Sequence, residues 1–506
     1  MNHTINISDN FVQFNKLKKT KFKDSMRNRN GYDLNTLLII ANFCICAIAI
    51  ILYYNKGDNQ YVDIYTIILL CIFGAQNLLM LLYERVKRDP FIIILMIVVL
   101  VFYMVRVVTL LNDPWSLALA RHSLTPSDLN YSLMFIMLSN ASIFLGLSTV
   151  GGKILYKKNE LIDGRPANPT KIIIILLFTI VIAFYTTLAS DIIGRFAGYI
   201  TQVFINLHLI LLLTSVYIAI NLKKISNRKL IILLILIATF FIFTTLSGSR
   251  SALLTLAYLL LIAIISVKGR ITFNKKAILI GTILIPLSVM FFISATYIRQ
   301  VETDRHVVST KQLTILKGAD LIGSKDISLL CRPVFNRMGF LDYAAVVIRS
   351  HEQYSKIINF QYYFESIIDN ALTPGFNIFG TPKVSNSMSY ISRGEPVPTH
   401  KDIMSAYQSD MPTVYGEYYV LFHGYPALII LFSFSFIFKK IYLSIRSKDA
   451  FLFYLYRALV LCVFYSWLNS FGIDWMMLDL IGIIITVGLF KNFYKMDVKK
   501  KVKACL

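Results

Sequence analysis

The sequence predicts an all-α polytopic membrane protein of about twelve transmembrane helices, with one large, partly helical periplasmic loop between helices nine and ten. Three observations lead there. Hydrophobic residues make up 56% of the 506 and charged residues only 16%, a departure from soluble composition toward that of membrane proteins. Apolar runs of the roughly 20 residues needed to cross the hydrocarbon core recur along nearly the whole chain. Lys and Arg concentrate in alternate loops, the pattern that marks the cytoplasmic side of a multi-pass protein.

Residues 1–33 form a basic tail, without the apolar core of a cleavable signal peptide. Apolar runs then predict spans at 34–54, 62–83, 91–111, 131–151, 171–189, 199–221, 229–246, 252–267 and 277–297. A long, near-neutral segment, 298–412, follows. Spans are predicted again at 413–438, 452–471 and 475–492, and residues 493–506 close the chain as a second basic tail. The basic loops include Arg85/Lys87/Arg88, Lys223/Lys224/Arg228/Lys229 and Lys439/Lys440/Arg446/Lys448. An even number of spans places both termini on that basic, cytoplasmic side. Within 298–412, Leu330, Val334, Met338, Leu341, Ala345 and Ile348 recur at helical spacing, predicting an amphipathic helix over 329–348. Beyond it Pro374, Gly375, Gly380, Pro382, Gly394, Pro396 and Pro398 predict irregular structure.

The net charge of +23 is high enough to suggest nucleic-acid binding. Its confinement to short loops on one face argues against that reading. Six cysteines are scattered, with Cys44, Cys46 and Cys71 inside apolar spans, and show neither metal-ligand spacing nor a disulfide framework. No Walker loop, H-E-x-x-H or G-x-S-x-G is present. These absences count against an ATP-driven pump and a zinc or serine hydrolase, and no cofactor or metal is expected.

Candidate chemistry lies on the outer face. Arg250 sits in Ser247-Gly248-Ser249-Arg250-Ser251, a tight turn at a helix start, where hydroxyls and free amides favour an anion. It reads equally as an interfacial anchor on lipid headgroups or as a ligand for a lipid pyrophosphate. Arg299 leaves the end of span nine, and Arg332 and Arg337 follow in the loop. Each alone is a common solvated charge, but several arginines on one membrane face make a diphosphate site. Glu417, near the start of span ten, is a candidate general base, or a carboxylate that complements the helix dipole. His400 is the other candidate base. Arg106, Asn140, His208, Asp474 and Asp479 lie within spans and are expected to face the bundle interior, because polar groups are costly in lipid.

Three segments carry a resemblance: Gly248-Ser-Arg-Ser-Ala-Leu-Leu254, Arg337-Met-Gly-Phe-Leu-Asp342, and Pro412-Thr-Val-Tyr-Gly-Glu-Tyr-Tyr-Val-Leu-Phe-His-Gly-Tyr-Pro426. In this order and topology the chain resembles the Wzy-type oligosaccharide repeat-unit polymerases, or O-antigen polymerases, of bacterial surface polysaccharide assembly. One departure stands out. Many relatives carry a Pro-Arg pair ahead of a Lys-Pro pair late in the loop, where this chain has Thr373-Pro374-Gly375-Phe376 and Thr381-Pro382-Lys383-Val384.

The resemblance implies a glycosyltransferase of the bacterial inner membrane. Its substrate would be an undecaprenyl-pyrophosphate-linked oligosaccharide, and a chain-length-regulating co-polymerase would be its partner. Arg250 and Arg299 would hold the departing diphosphate with Arg332 and Arg337 assisting, while Glu417 or His400 activates the acceptor hydroxyl. The related O-antigen ligases share the span number and large loop. A lipid-linked oligosaccharide flippase is disfavoured by the loop.

Overall fold

The computed structural model describes residues 32–57, 59–112, 122–150, 207–221, 226–246, 251–269, 271–273, 339–373, 378–392, 394–397, 413–446 and 450–469, with isolated positions at 170, 173, 174, 177, 181, 473, 476, 477 and 480–484. The described chain is a helical bundle. Its helices are α1 (Leu34–Lys56), α2 (Ile64–Lys87), α3 (Pro90–Asn112), α4 (Pro126–Thr149), α5 (Leu207–Asn221), α6 (Asn227–Leu246) and α7 (Ser251–Lys268). They continue with α8 (Phe340–Arg349), α9 (His351–Ile357), α10 (Phe360–Ile367), α11 (Val384–Ser392), α12 (Thr413–Leu421), α13 (Ala427–Ser444) and α14 (Ala450–Leu468). Six of them, α1 to α4, α13 and α14, are long and apolar enough to cross a membrane, which gives the chain its multi-pass membrane character.

Local chemistry sets the boundaries. Asp63 caps α2 in a reciprocal capping box with Thr66, and Thr125 does the same for α4 with Asp128, ahead of Pro126 in the first turn. That box starts α4 five residues before the apolar run predicted at 131. Helix α2 runs on through Glu84-Arg85-Val86-Lys87 and stops where Arg88 turns left-handed (φ 56°). Helix α3 contains a single π-turn at Leu100–Met104, whose extra residue rotates the following face by about 100°. The span predicted over 413–438 is two helices. The chain turns at 422–426, where Gly424 takes φ 98° and Pro426 begins the next helix. The predicted helix over 329–348 is described from Phe340 onward. Between Gly380 and Gly394, where irregular structure was expected, residues 384–392 form α11.

Side-chain and backbone bonds sort the helix ends into two sets. At one end Lys56 Nζ donates to Asn112 Oδ1 (2.9 Å), Asn59 Nδ2 to Leu110 O (3.2 Å) and Asn130 Nδ2 to Asp63 Oδ1 (3.0 Å). There also Arg349 of α8 donates to Ser123 O (2.8 Å). At the other end Asn35 bonds to Glu84, Lys439 pairs with Asp89, and Tyr32–Asp33 pairs antiparallel with Thr272–Phe273. The residues preceding α1 and following α7 therefore share one end of the bundle. Arg85, Lys87, Arg88 and Lys439 lie at that same end. Helices α8 to α12 gather at the opposite one, called the loop end below. The predicted spans 171–189 and 475–492 are described only at isolated positions, and 277–297 lies outside the described residues.

Candidate functional site

Of the residues singled out from sequence, Arg250, Arg299, Arg332, Arg337 and His400 lie outside the described residues, as do Asp474, Asp479 and the side chain of His208. Glu417, Arg106 and Asn140 are described, and all three are fully buried. They converge on a structure made by α8 and α12 at the loop end.

Helix α8, Phe-Leu-Asp-Tyr-Ala-Ala-Val-Val-Ile-Arg, is sunk into the bundle. Its residues from Phe340 to Ile348 are buried except half-buried Tyr343, and they share one apolar core with the spans. What holds it is Arg106 of α3, about 9 Å along the helix axis from Asn112. Its guanidinium grips the Asp342 carboxylate through two nitrogens. Nε lies 3.0 and 3.2 Å from the two oxygens and Nη2 lies 2.7 Å from Oδ2. Nη1 donates to Thr109 Oγ1 at 3.1 Å. Neither charged side chain has measurable exposure. Enclosed in this way, Arg106 acts as a fastener between span and loop segment and not as an anion ligand. Phe340 stacks on Phe102 beside it, ring centroids 4.5 Å apart.

Helix α12, Thr-Val-Tyr-Gly-Glu-Tyr-Tyr-Val-Leu, is buried at every position. Gly416 lets it lie against α8: a Cβ there would meet Val347 Cγ1 at 3.1 Å. Tyr415 donates to Asn140 Oδ1 (2.5 Å), and Tyr418 accepts from Trp467 Nε1 (2.9 Å), so hydroxyls tie α12 to α4 and α14. Thr413, a β-branched residue, adopts φ 58°, a strained conformation held by its buried surroundings. Glu417 lies in the middle of α12, so a role as a helix-start carboxylate does not describe it. Its Oε1 accepts the backbone amide of Ile473 at 2.7 Å, joining α12 to the chain beyond α14.

Nearer the surface of the same end is an aromatic cluster that sequence reading missed. Tyr131 of α4 and Tyr419 of α12 share a hydroxyl hydrogen bond of 2.8 Å, and His351 of α9 sets its ring edge-on to Tyr419 at 5.3 Å. Exposed Tyr425 joins through Tyr131; that hydrogen bond, with partial burial, pushes its phenol above the ordinary value. His351 Nδ1 stands 3.1 Å from Ile348 O. A carbonyl only accepts, so Nδ1 is the donor in this contact. The cluster thus sets an imidazole and phenolic hydroxyls side by side among aromatic rings. Tyr131 and Tyr419 alone are 288 residues apart, so no local sequence signal joins the cluster. Lys383, the cation left where the resembled family has a Lys-Pro pair, stands half-buried at the start of α11, its carbonyl accepting from Asn386 N at 2.9 Å. Among protein-family models, curated proteins and solved structures, none matches the chain.

Proposed function

We propose that this chain is a membrane glycosyltransferase that polymerises undecaprenyl-pyrophosphate-linked oligosaccharide repeat units at the periplasmic face of the bacterial inner membrane. In this reading it crosses the bilayer about twelve times, with both termini cytoplasmic. The observation that carries the proposal is the ordered set of three motif segments. The packing of two of them supports it: the helix containing Phe340-Leu341-Asp342 lies against the one containing Gly416-Glu417, about seventy residues later, through the Gly416–Val347 approach.

A glycosyl pyrophosphate is already activated, so the protein needs cations to stabilise the departing diphosphate and a base to take the acceptor proton. Arg250 and Arg299 are assigned to the diphosphate, with Arg332 and Arg337 assisting. Glu417 and His400 remain candidate bases, and the geometry adds His351, whose Nδ1 is oriented by the Ile348 carbonyl. For Glu417 the Ile473 contact favours a positioning role, since a carboxylate engaged in the core has to be uncovered before it meets a sugar.

The test is the glycan ladder of a deletion strain complemented with variants. Arg250→Ala should leave an inserted, folded protein that yields only single-repeat products; wild-type chain lengths would remove Arg250 from the site. Arg250→Lys should fail as well if bidentate contact is required. If Glu417 only positions, Glu417→Gln, which keeps an oxygen for Ile473, retains the ladder and Glu417→Ala loses it. Loss with Glu417→Gln at unchanged stability would restore it as base. An O-antigen ligase is separated by the same gel, because its loss leaves long carrier-linked polymer and not single units.

A further inference from the structure

Helix α10, with the π-turn Ile368–Leu372 that continues it, is inside out. Its buried face carries Tyr363, Ser366, Asp369 and Asn370, every one nine-tenths or more buried. Asp369 accepts from Phe379 N (3.0 Å) and Thr381 N (2.8 Å), and Asn370 Nδ2 donates to Ser366 O (2.9 Å). The outward face carries Phe360, 62% exposed, and Phe364, 63% exposed, one helical turn apart, with Ile357 before them and Leu372 two turns beyond. The Asp369 bonds hold Ile378 and Phe379, also exposed, beside the same stripe. A helix bathed in water would be turned the other way round. Elsewhere among the described residues, apolar side chains of this size and exposure lie on the long apolar helices or in predicted spans, apart from Tyr425 in the turn before α13.

The patch is continuous with those faces. Phe360 sets its ring edge against Phe422, 5.5 Å between centroids. Phe422 begins the turn that leads into span α13, whose Ile429 is 68% exposed. That contact places α10 beside the turn from which α13 starts.

We propose that the Phe360, Phe364, Leu372, Ile378 and Phe379 surface lies in the bilayer itself, seated among the lipids of the leaflet at the loop end. Helix α10 is then an interfacial helix, parallel to the membrane plane, that anchors the α8 to α12 assembly at headgroup depth. The inference does not depend on the catalysis proposed above.

Full-length protein in phosphatidylethanolamine and phosphatidylglycerol vesicles tests it. Phe364→Trp adds one indole to the three natural tryptophans. Its added emission should be blue-shifted, quenched by acyl-chain-brominated lipid and spared by aqueous iodide. Glu352→Trp, on the charged face of α9 that also carries exposed Lys356, should behave in the opposite way. Phe379→Trp, at the far edge of the patch, gives a second reporter of the same kind. Iodide quenching at 364 and 379 matching that at 352 overturns the proposal in favour of a water-facing surface. Protection from both quenchers overturns it in favour of a protein cover, a second copy of this chain included.

Discussion

At the loop end of the bundle Arg106 meets Asp342, and at the opposite end Lys439 meets Asp89. Both pairs are buried, both join segments far apart in sequence, and both involve a residue that hydropathy counts as a cost. Their construction differs. Arg106 spends all its nitrogens, two on the carboxylate and one on Thr109, and the pair is sealed on every side. Lys439 offers a point charge that rests over the Phe91 ring at 5.5 Å. Asp89 has a second occupation, accepting from Phe91 N at 3.1 Å as the cap of α3. One pair thus ties an inserted loop helix to a span with fixed geometry, while the other closes a turn that already has a cap. The pair with the more fixed geometry is the one at the loop end.

The sharpest way to break this contrast is to remove one partner at a time. Arg106→Ala leaves Asp342 buried without its cation and should cost about 3 to 5 kcal/mol. Purified protein in detergent should show this as a large drop in melting temperature, with α8 the first segment to lose hydrogen-exchange protection. Arg106→Met with Asp342→Leu replaces the pair by apolar volume and should recover much of that loss. Failure of the double variant to recover would mean that the pair fixes the docking of α8 in a way apolar packing does not.

Lys439→Met is the matching experiment at the other end. Asp89 keeps its backbone donor, so the expected cost is smaller, about 1 to 3 kcal/mol. Exchange protection of α8 should not change. A loss equal to that of Arg106→Ala would erase the distinction between the two ends.

Much of this architecture was legible in the chain. Spans were readable as apolar runs, and for α1 and α3 the boundaries fall within about two residues of expectation. Boundaries failed where polar chemistry extends a helix beyond its apolar run, as the Thr125–Asp128 capping box does for α4. The break at 422–426 was hidden because Phe422 and Tyr425 keep the window apolar, although Gly424 and Pro426 punctuate it. Arg106, Asn140 and Asp342 were each visible as polar residues in or beside apolar segments. Their partners were not, since Arg106 and Asp342 are separated by 236 positions and Asn140 and Tyr415 by 275. The inside-out character of α10 was open to a periodicity count over 357–372. A reading that expects apolar residues to point inward assigns its faces in reverse.

The smallest expected effect concerns Asp63, which stands at the loop end as Asp89 stands at the other, each capping a span. Among the described residues Asp63 forms no ion pair. Partial burial alone would raise its carboxyl, but hydrogen bonds from Asn130 and Thr66 and from the Tyr65 amide outweigh that and hold it below 3.8. A carboxylate depressed in the folded state contributes stability above its unfolded value, and that contribution is lost as the pH falls through the folded value. Asp63→Ala should therefore cost about 1 kcal/mol at neutral pH, the usual worth of a cap. Asp63→Asn keeps a capping oxygen and should cost only a few tenths of that unit. In acid the gap closes, because the wild type loses its charged cap as the pH falls through the folded value and the Asn variant has no charge to lose. Melting curves of the two should converge as the pH is lowered. A gap between them that stays constant from neutral pH to acid would show that the Asp63 charge adds nothing to the cap, leaving ionic fastening to Arg106–Asp342 and Lys439–Asp89.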